Sequence, residues 1–420
     1  MNRLNLLLAG ALALAGAPAV AETVAITGAT VHTMTRAGTL ERATIVIVDG
    51  RIHALGAEVA VPEGARAIDG EGLVVTPGLF DAWGSMGIVE VGAVEGTNDI
   101  EVDNARIGAA LNIADAVNPR SELIAVNRIE GITRSVVAPE SKTHLVAGQA
   151  AIINLGGAGD WLEVAPAAMV VQFGERGAEL SGGSRAAALL TLREVLQDAR
   201  DYGRNRSAFD RGARRAYARA RLDLEALQPV LAGDVPMLAR VDRASDIEAV
   251  LRLKREFKLR VIIAGGAEAW VVADQLAAES VPVVLDPLVN LPGSFETLRA
   301  TGENATRLHK AGVAVAFGSG DSHNARNLRQ AAGNAVARGL PWDAALAAAT
   351  TAGARAFGLE TGLESGDAAD LVVWDGDPLE LRSYPVAVFI GGEQMPMTSR
   401  QTALRDRYLP APGPVPHAYR

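Results

Sequence analysis

Apolar positions along the chain fall into two kinds of pattern. Near both ends, at residues 23–26, 43–48, 371–374 and 386–390, they form short runs rich in β-branched residues. Such runs predict strands, and Asp49-Gly50, set between the runs 43–48 and 51–55, predicts a hairpin turn. In the middle, continuous apolar runs alternate with amphipathic stretches. Strands are predicted at 235–239, 260–263, 281–285 and 313–317, and helices at 246–257, 268–278, 294–310 and 325–338. Ser245 and Glu248 have the spacing of a capping box at the start of the first of these helices. Runs that are apolar throughout predict strands buried on both faces of a parallel sheet. A (β/α)8 barrel satisfies this pattern, and so does a doubly wound open sheet. Residues 184–228 read as helical, Gly156-Gly157 as a turn, and 399–420, with prolines at 410, 412, 414 and 416, as a mostly irregular tail.

Composition narrows the chemistry. The 420 residues include no cysteine, which removes disulfides, Cys-based zinc sites and thiol nucleophiles. Forty basic residues against 49 acidic ones give a net charge of −9, a poor balance for binding nucleic acid. Arg3, the apolar run 6–16 and the small residues Ala19 and Ala21 have the three-part layout of a secretory signal peptide, residues 1–21, with cleavage near Ala21. The run is shorter than the roughly 20 apolar residues of a membrane span. The expectation is a periplasmic or secreted protein with no membrane span in the mature chain.

In parallel α/β folds, active sites lie beyond the C-terminal ends of the strands. Two such segments stand out, residues 76–87 and residues 318–324, and in a closed barrel they would meet at one mouth. Thr76-Pro77-Gly78-Leu79-Phe80-Asp81 resembles the first-strand motif of the amidohydrolase superfamily, in particular its imidazolonepropionase-like secreted members. The segment 312–321 resembles the last barrel strand of that family, and residues 363–374 its return to a small β domain. The resemblance implies a (β/α)8 TIM barrel with a composite β-sandwich built from both chain ends. Its parts would be sandwich at 22–75, barrel at 76–360, sandwich again at 361–400, and a tail at 401–420.

The family implies hydrolysis of a C–N bond in a small-molecule amide or peptide-like substrate, with water activated on a divalent metal such as zinc. Its ligands are a His-x-His after the first strand, a His after the fifth and the sixth, and an Asp after the eighth. This chain departs from that set. Trp83 and Ser85 hold the His-x-His positions, Arg240 falls near the fifth-strand position, and Ala264-Gly265-Gly266 holds the sixth. Asp321 is the only family-matching ligand. Of the six histidines, His144 and His323 are the two placed to reach a barrel mouth. The chain is therefore expected to carry Asp321 and His323 as catalytic groups, with Arg240, Trp83, Ser85 and Glu268 binding substrate. Arg240 is assigned to a substrate carboxylate. The other expectation is a non-catalytic barrel used as a ligand-binding or interaction scaffold.

Overall fold

The computed structural model describes residues 23–409. The segment 1–21, expected to be a signal peptide, and the prolines from 410 onward lie outside the described residues. Two eight-stranded sheets organise the rest. Both ends of the chain build the first. Val24–His32 pairs antiparallel with Thr39–Val48 and parallel with Arg66–Asp69 and Val74–Pro77. Thr39–Val48 returns as Arg51–Gly56 through Asp49-Gly50, whose φ values of 49° and 78° are the pair that a type I′ hairpin requires. From the other end, Leu371–Trp374 inserts antiparallel beside Val74–Pro77 and continues through Pro385–Ile390 to Glu393–Gln394. The β-branched positions of both ends meet in one core around Ile26, Ile45, Ile52, Val75 and Phe389.

The second sheet is the barrel. Its strands are β1 (Leu79–Gly84), β2 (Ile132–Val137), β3 (Val146–Asn154), β4 (Leu162–Gln172), β5 (Met237–Val241), β6 (Val261–Gly265), β7 (Val283–Leu285) and β8 (Val315–Phe317), adjacent in chain order. β4 to β8 are all parallel, as β1 is to β2. β3 runs antiparallel to both its neighbours, so this member of the barrel class has one reversed strand. β3 and β4 form a hairpin whose connection holds Gly156-Gly157. The ring is joined between β8 and β1 by loop hydrogen bonds. The Gly320 amide donates to the Trp83 carbonyl (2.8 Å) and the Ser85 amide to the Asp321 carbonyl (3.1 Å).

Small side chains fill the interior, including Ala82, Ala150, Ala168, Ala264 and Ala316 beside Val170, Leu238, Ile262 and Val284. The N-terminal end is closed by the helix Thr351–Ala356, which brings Ala354 and Phe357 into that interior. Gly353 permits this approach, because a Cβ there would lie 2.7 Å from Phe80. Barrel and sandwich are tied at a buried point. Arg134 pairs with Glu163 (2.6 Å) and with Asp370, and the Trp374 indole donates to Thr76 Oγ1 (2.9 Å).

Several elements depart from the sequence reading. The predicted helix 294–310 is helical only over Asn304–Lys310, because Pro292-Gly293 leads into turns. The amide of Ala244, at the start of helix Ala244–Phe257, is capped by Glu268 Oε2 (3.1 Å) rather than by a Ser245–Glu248 box. The tail expected to be irregular begins with a helix, Arg400–Tyr408, opened by a capping box between Ser399 and Thr402. Among the described residues, no helix is long and apolar enough to cross a membrane.

Candidate functional site at the barrel mouth

The seam between β1 and β8 brings the two motif segments together. At its centre is Asp81, at the end of the 76–81 motif and fully buried. Its Oδ1 accepts from the Ser319 amide (2.8 Å), and its Oδ2 from the hydroxyls of Ser319 (2.9 Å) and Ser135 (3.2 Å). Burial pushes its carboxyl up to about 7, and these hydrogen bonds only partly counter that. Asp81 thus ties β1, β2 and the β8 loop to one another. Sequence reasoning alone assigns it no role. The available signal was an acid set directly after Leu79-Phe80 in a strand otherwise apolar.

Asp321 lies across the seam and is half-buried. Its Oδ1 accepts from the amides of His323 (2.9 Å) and Asn324 (3.2 Å), and its Oδ2 from the Asn324 side chain (3.2 Å). Burial raises its pKa, but the amide and side chain of Asn324 and the amides of Ser322 and His323 outweigh that and hold it below the ordinary carboxylate range. The carboxylate therefore caps the turn Asn324–Asn327. His323 meets Asp321 through its backbone amide. Its ring Nε2 instead accepts from Gln401 Nε2 (2.8 Å) on the C-terminal helix.

Arg240, at the end of β5, lies over the Trp83 ring with its guanidinium carbon 4.5 Å from the centroid. The same guanidinium is paired with Glu140, a residue that sequence reasoning missed. Glu140 comes from the loop between β2 and β3, just beyond the C-terminal end of β2 and so at the mouth. There Glu140–Ser141 forms a two-stranded ladder with Glu101–Val102. Arg176 reinforces this roof by donating to Glu101 (2.9 Å) and to the Ser141 carbonyl (2.9 Å). Ser85 is buried and held by its backbone to Asp321.

Two expected residues sit elsewhere in the mouth region. Glu268 is buried, and its carboxylate accepts from the amides of Ala244 (3.1 Å) and Arg299 (3.0 Å). It lines a groove of about 690 Å³ beside Arg243, Glu248, Phe295 and Leu298, which the loop after β7 borders. His144 accepts from Arg219 at Nδ1 (2.9 Å) and faces the Ala105 carbonyl at Nε2 (2.8 Å). Burial first and Arg219 second lower its pKa, so the neutral ring is favoured.

The donor set argues against a divalent metal of the usual kind. Trp83 and Ser85 offer no imidazole. A guanidinium sits over Trp83 at the fifth-strand position, and like charge repels a cation. The Asp321 carboxylate is committed to N–H donors. Among the described residues, no three His, Asp or Glu side chains converge to hold a metal ion. The residues present do not fit the group.

Comparison with known proteins bears on the fold and on this site. Residues 244–399 match the model of the amidohydrolase family. The curated amidohydrolase tasK of Hapsidospora irregularis is 26% identical over 395 residues, which cover 84% of this chain. The chain spans about two-fifths of that relative's length, 39%. The crystal structure of an amidohydrolase from Thermotoga maritima MSB8 superposes with a TM-score of 0.80 at 24% identity, over 90% of this chain and 100% of that one. A phenylurea hydrolase B structure matches with a TM-score of 0.54 at 16% identity, over 89% of this chain and 97% of its own. The composite sandwich and the eight-stranded ring are the fold of the Thermotoga maritima amidohydrolase, and residues 244–399 carry the amidohydrolase family match.

Proposed function

We propose that the protein is an exported hydrolase of C–N bonds in small amide or peptide-like substrates that carry a carboxylate, with a metal site that has degenerated. The observation that carries this reading is the Arg240 guanidinium, stacked on Trp83 at the mouth. An arginine fork held over an aromatic face suits a planar carboxylate, and Glu140 keeps it oriented until substrate displaces that partner. The amidohydrolase family match over residues 244–399 and the similarity to the curated amidohydrolase support the reaction class. In this reading Asp321, once released from Asn324, takes a proton from the water that attacks the carbonyl carbon and returns it to the amine nitrogen as the C–N bond breaks. His323, Ser85 and Glu268 position the loops around the substrate. The leader 1–21 directs the chain out of the cytoplasm.

A second reading is a binding scaffold without turnover. It is favoured by the commitment of both Asp321 and Glu268 to backbone amides.

A panel of N-acyl amino acids and dipeptides separates the two, assayed with protein from its native compartment whose metal content has been measured. Hydrolysis that falls at least tenfold in Asp321→Asn supports the hydrolase. Carboxylate binding without turnover supports the scaffold. Hydrolysis unchanged in Asp321→Asn removes the role given to Asp321. Stoichiometric zinc, iron or manganese overturns the degenerate site.

A further inference from the structure

A second cavity lies at the opposite end of the barrel from the mouth. It has a volume of about 490 Å³, within the range of small-molecule sites. Its walls are the starting residues of successive strands and the helix that closes that end. Pro236 precedes β5, Arg260 precedes β6 and Val261 opens it, Pro282 precedes β7 and Ala314 precedes β8, while Ala352, Arg355 and Ala356 come from Thr351–Ala356. Much of this lining is apolar.

Its charges are unbalanced. Lys254 and Glu279 both border the cavity, but Lys254 (3.2 Å) and Arg255 already neutralise Glu279. Arg260 and Arg355 are the surplus. Arg260 donates from Nη1 to the carbonyls of Gly233 (3.4 Å) and Asp234 (3.2 Å), and Arg355 from Nη2 to the Met34 carbonyl (3.1 Å). These contacts fix one nitrogen of each fork and leave the charge without a carboxylate partner among the described residues. Arg355 also borders a neighbouring cleft that holds Glu360, Glu364 and Asp367. Arg260 is therefore the more committed of the two to this cavity. In a chain of net charge −9, two such guanidiniums at the rim of an apolar cavity form a local exception.

We infer that this cavity is a binding site for a small organic anion with an apolar body, its carboxylate held by Arg260 and Arg355 and its hydrocarbon laid against the strand starts and the closing helix. The site is separate from the mouth, since the cavity is lined by strand beginnings and Arg240 stands at a strand end. It goes beyond the proposed reaction and does not depend on it.

The test is calorimetric titration of the mature protein with octanoate, and with octanamide as the neutral isostere. Octanoate is expected to bind at least tenfold more tightly than octanamide. In an Arg240→Ala background, in which the mouth has lost its guanidinium, Arg260→Ala/Arg355→Ala is expected to weaken octanoate at least tenfold with thermal unfolding still cooperative. If the double alanine variant fails to fold, Arg260→Gln alone in that background serves, with at least a fivefold loss expected. Equal affinity for the two probes, no octanoate binding, loss of binding with Arg240→Ala alone, or binding in that background that the Arg260 and Arg355 changes leave intact would overturn the inference.

Discussion

Two aspartates lie on opposite sides of the seam between β1 and β8, and the fold treats them oppositely. Asp81 is fully buried with three donors, and burial raises its carboxyl to about 7. Asp321 is half-buried with amide donors on a turn, and its pKa is depressed. The residue in the more distinctive sequence motif holds the ring closed. The one that matches a family ligand caps a turn. Donors and burial, more than place in a motif, set what each carboxyl does in the folded chain.

The largest effect is expected from Asp81→Asn. The folded carboxyl keeps its proton until about pH 7, while the unfolded one loses it near 3.8. Below about pH 4 both states are protonated. As pH rises from there to about 7 the unfolded state alone releases a proton, so stability falls. A variant that cannot ionise escapes this loss. Its unfolding free energy is expected to change less over pH 4–8 and to exceed the wild-type value at pH 8 by on the order of a few kcal/mol. Wild-type and variant curves that stay parallel would contradict the account of Asp81.

Gly84→Ala attacks the same seam by volume. An added Cβ would lie 2.2 Å from Asp81 Oδ2, 3.0 Å from Ser135 Oγ and 3.2 Å from the Asp321 carbonyl. Overpacking of this kind costs about 2 kcal/mol, read as a shift in the urea midpoint. A fall of less than half that size would mean that the seam is loosely packed.

Asp321→Ala removes a cap, worth about 1 kcal/mol at neutral pH. Its pH dependence should run the other way. A depressed carboxyl contributes stability that is present above the unfolded pKa and lost as pH falls through the folded one. The deficit of the variant should shrink toward pH 3. A deficit that grows on acidification would sink the contrast between the two aspartates.

The smallest effect on stability is expected from Arg240→Gln, under about 1 kcal/mol, because Arg240 and Glu140 are both partly exposed. The same change should act strongly on ligand binding at the mouth.

The regular half of the barrel was legible in the sequence. From β5 to β8, strands apolar throughout and alternating with helices report burial on both faces, and the structure pairs them in parallel order. The sandwich was legible for a similar reason, since Asp49-Gly50 fixes its first hairpin. The reversal of β3 was not. An apolar strand has no sign of direction in its pattern, and a glycine turn at 156–157 reads alike in a hairpin and in a crossover. Glu140 was hidden as well, because its pair with Arg240 joins residues 100 positions apart that no spacing in the sequence connects. His323 was misleading in a simple way. Its spacing from Asp321 is close, yet the turn directs its ring to Gln401.

The claim that matters most is that the mouth is built around a guanidinium for a carboxylate. Titration of the mature protein with an N-acetyl dipeptide and with its C-terminal amide tests it directly. The account predicts at least tenfold tighter binding of the free carboxylate, with the preference lost in Arg240→Gln. Equal affinity for the two ligands, or a preference that survives Arg240→Gln, would contradict it.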